Sequence, residues 1–309
     1  MSEPVDKAAP GVESVTSAEP HTLAPVTQVP TAAAPALETA PAPEPPAATD
    51  DRLKVVDRRR RKSRACGYNK LPEVFAAINK GSPPTSVEIW GVKLDPYVRP
   101  CPKEYLILYK FLKARDMVLD NAKTMLVDAL KWRQEMNIPA IMEEAFPEDV
   151  FGKLGVVAGK DNDGRPVTYN VYSESKGKVA EVFGDLKRFI RWRVQLMEKG
   201  VAQLDFENVG DMIQVHDYSG LGSGDRTPES KTAASEASKI FGDNYPELLY
   251  RKYFVGVPGY LTWVFWLFKA IVPSQTFAKM QVVGIGKEAI GKELLQLPEK
   301  YGGEATTIV

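Results

Sequence analysis

Beyond Phe146, short apolar runs alternate with helical stretches, and this alternation constrains the fold more than any other feature. The strand candidates are Gly155–Ala158, Arg165–Tyr172, Asp211–Tyr218, Tyr250–Val257 and Gln281–Ile285. The helical stretches between or after them are Val182–Lys199, Thr232–Phe241, Leu261–Ile271 and Glu288–Leu295. The turn at 161–164 predicts an antiparallel hairpin for the first two strands. The later strands alternate with helices long enough for crossovers, so the sequence predicts an α/β fold with a mostly parallel sheet.

Residues 66–145 predict a small all-helical subdomain in front of this sheet. The helical patterns are Leu71–Asn79, Lys103–Ala114 and Asn121–Glu135, with Asp120 as the N-cap of the third. Trp90 and Leu94 belong to an extended connector between the first two helices. The sheet domain then occupies residues 146–309.

Residues 1–65 predict a disordered tail, because Ala, Pro, Thr and Glu dominate the first fifty positions and no aromatic residue precedes Tyr68. The basic cluster Arg58–Lys62 near its end is either a solvated charge run or a contact for acidic lipid headgroups. The 40 basic and 40 acidic side chains of the whole chain cancel, so nothing indicates nucleic-acid binding.

The cellular setting predicted from the sequence is intracellular. Cys66 and Cys101 are too few for a disulfide framework, and the N-terminus lacks the pattern of a secretory signal. The longest uncharged apolar run, Phe254–Phe268, contains Pro258 and is shorter than the ~20 residues that span a bilayer. We therefore expect a soluble protein, or one that touches membranes from one side.

The segment Gln214–Gly220 carries one of only two histidines in the chain. On a strand, the period of two sends His216 and Tyr218 to the same face, about 7 Å apart. An imidazole and a phenol on one face of an apolar strand either find a polar partner in the interior or face a ligand.

Conventional catalysis finds little support in the motifs. No Gly-x-Ser-x-Gly elbow lies beside a suitable strand, and Gly220–Gly224 is glycine-rich but lacks the spacing of a phosphate loop. A single histidine in the folded part excludes a multi-histidine metal site. The aromatic helix around Trp263–Phe268 is either core or a lid over an apolar cavity. The sequence thus favours a non-enzymatic protein that binds an apolar ligand.

Several ordered motifs resemble the CRAL-TRIO (Sec-fourteen-like) lipid-transfer family. They are Lys110–Arg115, Ala129–Arg133, Tyr245–Leu248, Lys252–Pro258 and Tyr301–Gly303. The resemblance implies a helical N-terminal subdomain, followed by an α/β bowl that holds one hydrophobic ligand under a gating helix. In this chain the gating helix would be Leu261–Ile271.

A finer resemblance is to the fungal fifth Sec-fourteen homologues, described as non-classical phosphatidylinositol transfer proteins that also bind haem b. It is carried by Leu196–Gly200, Leu204–Phe206, Gln214–Tyr218 and Tyr245–Tyr250. It implies Tyr218 as the axial iron ligand with His216 beside it, and Tyr172, Arg193 and Lys252 as the rest of the haem site.

The chemistry of these residue types agrees with the implied site. A phenolate is a hard anionic oxygen that suits Fe(III), but a free tyrosine has a pKa near ~10, so nearby cations must help to hold the anion. Arg193 and Lys252 supply cations for the phenolate or for the haem propionates. Considered without the resemblance, each residue has an ordinary alternative as a satisfied core side chain or a surface ion pair.

Two positions depart from the family pattern as the motifs align. The carboxylate expected after the strand that contains Tyr218 is replaced by Ser219, which leaves Lys252 to serve either an inositol phosphate or a haem propionate. Arg115 stands where the haem-binding relative has a tyrosine.

The prediction is a non-enzymatic protein that binds phosphatidylinositol and haem. The resemblance implies peripheral contact with endoplasmic reticulum or microsomal membranes from the cytoplasm. It also implies roles in phosphoinositide homeostasis and in the oxidant stress response. Two alternatives stay open: a haem enzyme that acts on peroxides or organic oxidants, and an apolar-ligand sensor.

Overall fold

The computed structural model of the chain describes residues 87–95, 101–257, 259, 274–284, 290 and 298–301. The predicted tail, the basic cluster Arg58–Lys62, the helix Leu71–Asn79 and the gating helix Leu261–Ile271 lie outside these residues, as does all of Glu288–Leu295 except Ile290. Every described residue belongs to the unit formed by residues 48–309. None of the described helices is long and apolar enough to cross a membrane.

The described residues of the N-terminal part form a β-hairpin and four helices. The elements are β1 (Val87–Ile89), β2 (Val92–Leu94), α1 (Pro102–Lys113), α2 (Leu119–Met136), α3 (Ile138–Glu143) and α4 (Glu148–Phe151). The predicted connector around Trp90 is thus a hairpin, because Trp90 and Gly91 both adopt positive φ at a two-residue turn. The Trp90 ring stacks on Phe111 at 5.6 Å and on Phe206 at 5.9 Å, which fixes the hairpin to the core.

Helix α2 begins at Leu119 with Val118 as its N-cap, two residues before the predicted start. Asp120 is therefore not the N-cap but lies in the first turn, where a carboxylate complements the helix dipole. The helix ends at Asn137, which adopts the left-handed conformation, and the Asn137 side chain accepts from the Ala140 amide to cap α3. One residue thus ends one helix and begins the next.

The second part is built on a five-stranded sheet. Its elements are β3 (Gly155–Lys160), β4 (Pro166–Val171), α5 (Val179–Phe183), α6 (Leu186–Val201), β5 (Met212–Asp217), α7 (Pro228–Asn244), β6 (Leu249–Val255), α8 (Ser274–Phe277) and β7 (Met280–Val283). The strands lie in the order β3-β4-β5-β6-β7, with β3–β4 antiparallel and the other pairs parallel. The predicted hairpin and mostly parallel sheet are both confirmed.

One helix predicted as continuous is divided into two helices in the structure. Val182–Lys199 was expected to be continuous, but the chain ends α5 at Gly184 and starts α6 at Asp185, whose side chain caps the Arg188 amide. Gly200 does not end α6 but lies inside it, against the sheet. A Cβ at Gly200 would come within 2.8 Å of the Thr168 methyl group, so only glycine allows this close approach.

The two faces of the sheet have different neighbours. Because the strands run in simple order, right-handed crossovers put α6 and α7 on the same face. This helical face carries the alternating residues that include Gln214 and His216 of β5. The opposite face carries an apolar cluster that includes Tyr169, Val215 and Tyr253, joined by Ile290 and Tyr301 from the C-terminal segment.

Candidate functional site

A row of side chains crosses the helical face near the carboxyl ends of three strands. In register, Asn170 of β4 lies opposite His216 of β5, which lies opposite Phe254 of β6. Tyr172 and Tyr218 follow two residues later, directly after β4 and β5 end. The period of two therefore brings all five side chains to one edge of one face.

The aromatic rings at this edge are in mutual contact. The Tyr172 centroid lies 5.2 Å from that of Tyr218 and 5.7 Å from that of His216. Phe254 lies 5.6 Å from His216 and stacks at 6.3 Å on Tyr218. His216 and Tyr218 thus share a face, as the strand period predicted.

Arg193 reaches the same place from α6. It is buried, and one guanidinium nitrogen donates to the Asn170 side-chain oxygen. Its guanidinium carbon lies 5.1 Å from the Phe241 ring centroid of α7. This hydrogen bond uses one N–H donor of the Arg193 guanidinium group, which carries a full positive charge.

Lys252 lies two residues before Phe254 and so on the same face of β6. Its Nζ is 5.3 Å from the Phe254 ring centroid, and no hydrogen bond or ion pair joins it to another described residue. Lys252, Tyr172 and Tyr218 each keep part of their surface accessible, although desolvation dominates the pKa values of Lys252 and Tyr218. The accessible parts of these three side chains can contact a ligand.

No ion pair between described residues compensates the positive charge of Arg193 and Lys252 at the site. Burial, then the charges of Lys252 and Arg193, hold the pKa of His216 well below its usual value, so the imidazole is neutral. Burial and Arg193 lower the pKa of Lys252 to about 7. Burial and neighbouring Tyr172 raise the pKa of Tyr218, and Arg193 offsets part of this increase. The phenol is therefore protonated when no metal is bound.

Within the described part of the chain, three polar atoms at the site are buried without a hydrogen-bond partner. They are His216 Nε2, Arg193 Nε and Asn170 Nδ2. Such groups normally cost about 1–3 kcal/mol each when unpaired, and they are usually satisfied by protein or bound molecules. The cluster therefore has the composition of a binding site for an anionic ligand. All five predicted site residues contribute to it: Tyr172, Arg193, His216, Tyr218 and Lys252.

Asp217, the last residue of β5, binds groups on the opposite side of the sheet. Its carboxylate accepts from the Tyr301 hydroxyl at 2.8 Å, from Lys300 Nζ at 2.6 Å and from the Ser219 amide at 2.8 Å. Burial opposes its ionisation, but these donors lower the pKa of Asp217 below the usual value. The residue between His216 and Tyr218 thus ties the C-terminal segment to the strand that carries both.

A second charged cluster lies at the other end of the parallel strands. The Glu247 carboxylate, just before β6, contacts Lys113 at 2.5 Å and Lys279 at 3.2 Å. Lys110 Nζ donates to the Glu247 carbonyl at 2.6 Å and is almost fully buried, which lowers its pKa to about 8. The cluster therefore has more positive than negative groups around one carboxylate.

This cluster is absent from the sequence-based prediction, because the family pattern places the carboxylate after the strand that contains Tyr218, where Ser219 stands. The signal that was available is Glu247 inside the motif Tyr245–Leu248, but only the fold brings α1 and the start of β7 beside it.

Comparisons with known proteins identify the family. The model of the CRAL/TRIO domain matches residues 151–303, and that of the CRAL/TRIO N-terminal domain matches residues 67–128. The chain is 37% identical over 243 residues to a protein of Cryptococcus neoformans named phosphatidylinositol transfer protein SFH5, covering 72% of this chain and 81% of the relative. This chain belongs to the CRAL/TRIO family.

Two further similarities support this family. A Candida albicans protein, also named phosphatidylinositol transfer protein SFH5, is 34% identical, with 76% of this chain and 78% of the relative covered. The crystal structure of Sfh5 superposes with a TM-score of 0.68 at 29% identity, covering 83% of this chain and 88% of that one. The resemblance to this family and the predicted fold class are both confirmed.

Proposed function

We propose that this protein is a non-enzymatic phosphatidylinositol transfer protein. The observation that carries the proposal is the pair of cationic clusters at opposite ends of parallel strands on a CRAL/TRIO fold. The names of the 32–37% identical relatives support it. A strand of six residues spans about 20 Å, comparable to the length of an acyl chain. A lipid along the strands would have a charged group within reach at either end.

The Glu247 cluster has the chemistry of an inositol phosphate site. Lys113 and Lys279 can bind the phosphate, and the Glu247 carboxylate can accept from inositol hydroxyl groups. This would leave Lys252 free for another anion. The ambiguity that Ser219 raised in the sequence would then be resolved by a carboxylate elsewhere in the fold.

A vesicle assay tests the lipid half. We expect Glu247→Gln to reduce transfer of labelled phosphatidylinositol between vesicles about tenfold or more, because one hydrogen-bonded charged group is worth roughly 1.5–3 kcal/mol. The matched control is Glu207→Gln, an exposed carboxylate whose loss should leave transfer unchanged. No transfer by the wild-type protein above the vesicle background would refute the proposal.

We also propose that the His216–Tyr218 edge binds haem b. Among the described residues, no group of three or more His, Cys, Asp or Glu side chains is arranged to hold a bare metal ion. The donors at this edge fit iron carried by a porphyrin. Tyr218 would be the axial ligand, Arg193 and Lys252 would bind propionates, and Tyr172 and His216 would line the pocket. The unpaired Arg193 Nε and His216 Nε2 support this fit.

The haem itself would supply an Fe(III) centre that a phenolate stabilises. The protein's part is electrostatic. Arg193 favours the deprotonated form of Tyr218, and the neutral imidazole of His216 can donate a hydrogen bond without adding charge. A role in the response to oxidants belongs to this proposal, as do phosphoinositide homeostasis and peripheral contact with cytoplasmic membrane surfaces such as those of the endoplasmic reticulum.

Absorption spectra test the haem half. We expect the haem-loaded wild type to show a Soret band that Tyr218→Phe shifts or abolishes, whereas Tyr250→Phe, outside the aromatic edge, leaves it unchanged. A haem spectrum identical in Tyr218→Phe would exclude this ligand. Peroxide turnover by the loaded wild type that is lost in Tyr218→Phe would instead favour a haem enzyme.

A further inference from the structure

We propose that Lys252 captures long-chain apolar aldehydes as an imine beside the aromatic edge formed by Tyr172, Tyr218 and Phe254. The proposal concerns the amine of Lys252 and an added ligand class. It requires neither haem nor phosphatidylinositol binding.

The surroundings of Lys252 suit a reactive amine. Its Nζ lies against the Phe254 ring and has no hydrogen-bond acceptor or carboxylate among the described residues. Among the described residues, the charge that perturbs it appreciably is the cation Arg193, which repels a proton. A lysine desolvated beside another cation is held in its neutral, nucleophilic form near neutral pH.

Lys110 is a buried lysine that, unlike Lys252, has partners within the fold. Its Nζ donates to the Glu247 carbonyl at 2.6 Å, and the carboxylates of Asp211 and Glu247 favour its charged form. Lys252 has neither kind of partner within the described residues. The absence of a structural role leaves its amine available to a ligand.

The ligand class follows from the chemistry of the amine and of its neighbours. Phe254, Tyr218 and Tyr172 make an aromatic wall, which favours an apolar chain. The amine lone pair forms a C–N bond to the aldehyde carbon, and the nitrogen proton passes to the oxygen to give a carbinolamine. Loss of one water then leaves the imine. One amine and one aldehyde thus give one imine and one water, with no oxidant or reductant.

Reductive trapping tests the proposal. The full-length, haem-free and lipid-free protein is incubated with hexadecanal and cyanoborohydride at pH 7, and modified lysines are located by peptide mass spectrometry. We expect a hexadecyl group at Lys252, formed about fivefold faster than at Lys110, because pKa values of about 7 and about 8 leave roughly a half and a tenth of the two amines neutral at pH 7. Exposed Lys199, which lacks the aromatic wall, should be labelled more slowly than Lys252. Lys110 is an internal control that needs no substitution.

Two comparisons make the test decisive. Lys252→Arg should remove the fast adduct and leave the slow surface adducts. Propanal should show a much smaller preference for Lys252 in the wild-type protein, since it buries little apolar surface. Equal labelling of Lys252 and Lys199, or the same preference with propanal, would overturn the proposal even if the variant fails to fold. The haem and transfer assays address different ligands, so their failure would be distinguishable.

Discussion

Replacing Lys252 with Met should stabilise the ligand-free protein. Methionine fills a similar volume but carries no charge. A pKa lowered from 10.5 to about 7 corresponds to roughly 5 kcal/mol of unfavourable free energy for the charged amine. Because part of the Lys252 surface is accessible, solvent screens some of this cost, and we expect a gain of about 2–4 kcal/mol at pH 7.

The pH dependence distinguishes this cause from better packing. Between pH 7 and 10.5 the unfolded protein binds a proton at Lys252 that the folded protein does not. The wild-type free energy of unfolding therefore gains a contribution that rises with pH in this window. The advantage of Lys252→Met should be largest at pH 7 and below, and should disappear as the pH approaches 10.5.

Urea unfolding followed by circular dichroism at pH 6, 7, 8.5 and 10 measures the difference. Lys199→Met is the matched control, because Lys199 is exposed and its amine bonds, among the described residues, to Gln195 alone. Its removal should change stability by less than about 0.5 kcal/mol. If Lys252→Met destabilises the protein, or its gain is the same at every pH, the amine is not an uncompensated charge. The anionic-ligand site would then lose its main argument.

Two further substitutions test the interactions that hold the site. Glu198→Gln breaks a buried ion pair in which Arg133 donates to both carboxylate oxygens at 2.6 and 3.0 Å. The free energy of unfolding in urea should fall by about 3–5 kcal/mol. A loss below about 1 kcal/mol would contradict a buried ion pair. Asp217→Asn removes a carboxylate whose lowered pKa adds stability above its unfolded pKa, and this stability is lost as pH falls through the folded pKa. The variant should be less stable than wild type at pH 7 by about 2–4 kcal/mol. The difference should shrink as the pH falls through the folded pKa of Asp217, as acid titrations of Tm would show. A pH-independent difference would refute this sign.

Much of the fold followed from local pattern. The Asp161–Gly164 turn predicts its hairpin because an Asp-Gly sequence favours the tight turns that join antiparallel strands. The apolar runs of β4 to β6 predict these strands. The predicted elements were wrong where one or two residues decide whether a helix continues or the chain turns. Gly184 and Asp185 interrupt an otherwise continuous helical pattern, and two adjacent positive φ values turn a connector into a hairpin at Trp90.

The candidate site was predictable in part for the same reason. His216 and Tyr218 share a face by the period of a strand, which is a local property. The other members, Tyr172, Arg193 and Lys252, were named from the family resemblance, since no spacing in the sequence relates them to each other. The Glu247 cluster escaped notice because its lysines come from segments 134 and 32 residues away.

The sequence by itself determined the class of fold, the family and the strand that carries the imidazole and the phenol. These depend on short-range periodicity and on motifs read along the chain. Only the tertiary structure decided which charges lie uncompensated. Whether a buried cation has a partner depends on contacts between distant segments, and the pKa values of Lys252 and His216 respond to that arrangement rather than to the residues beside them in the chain.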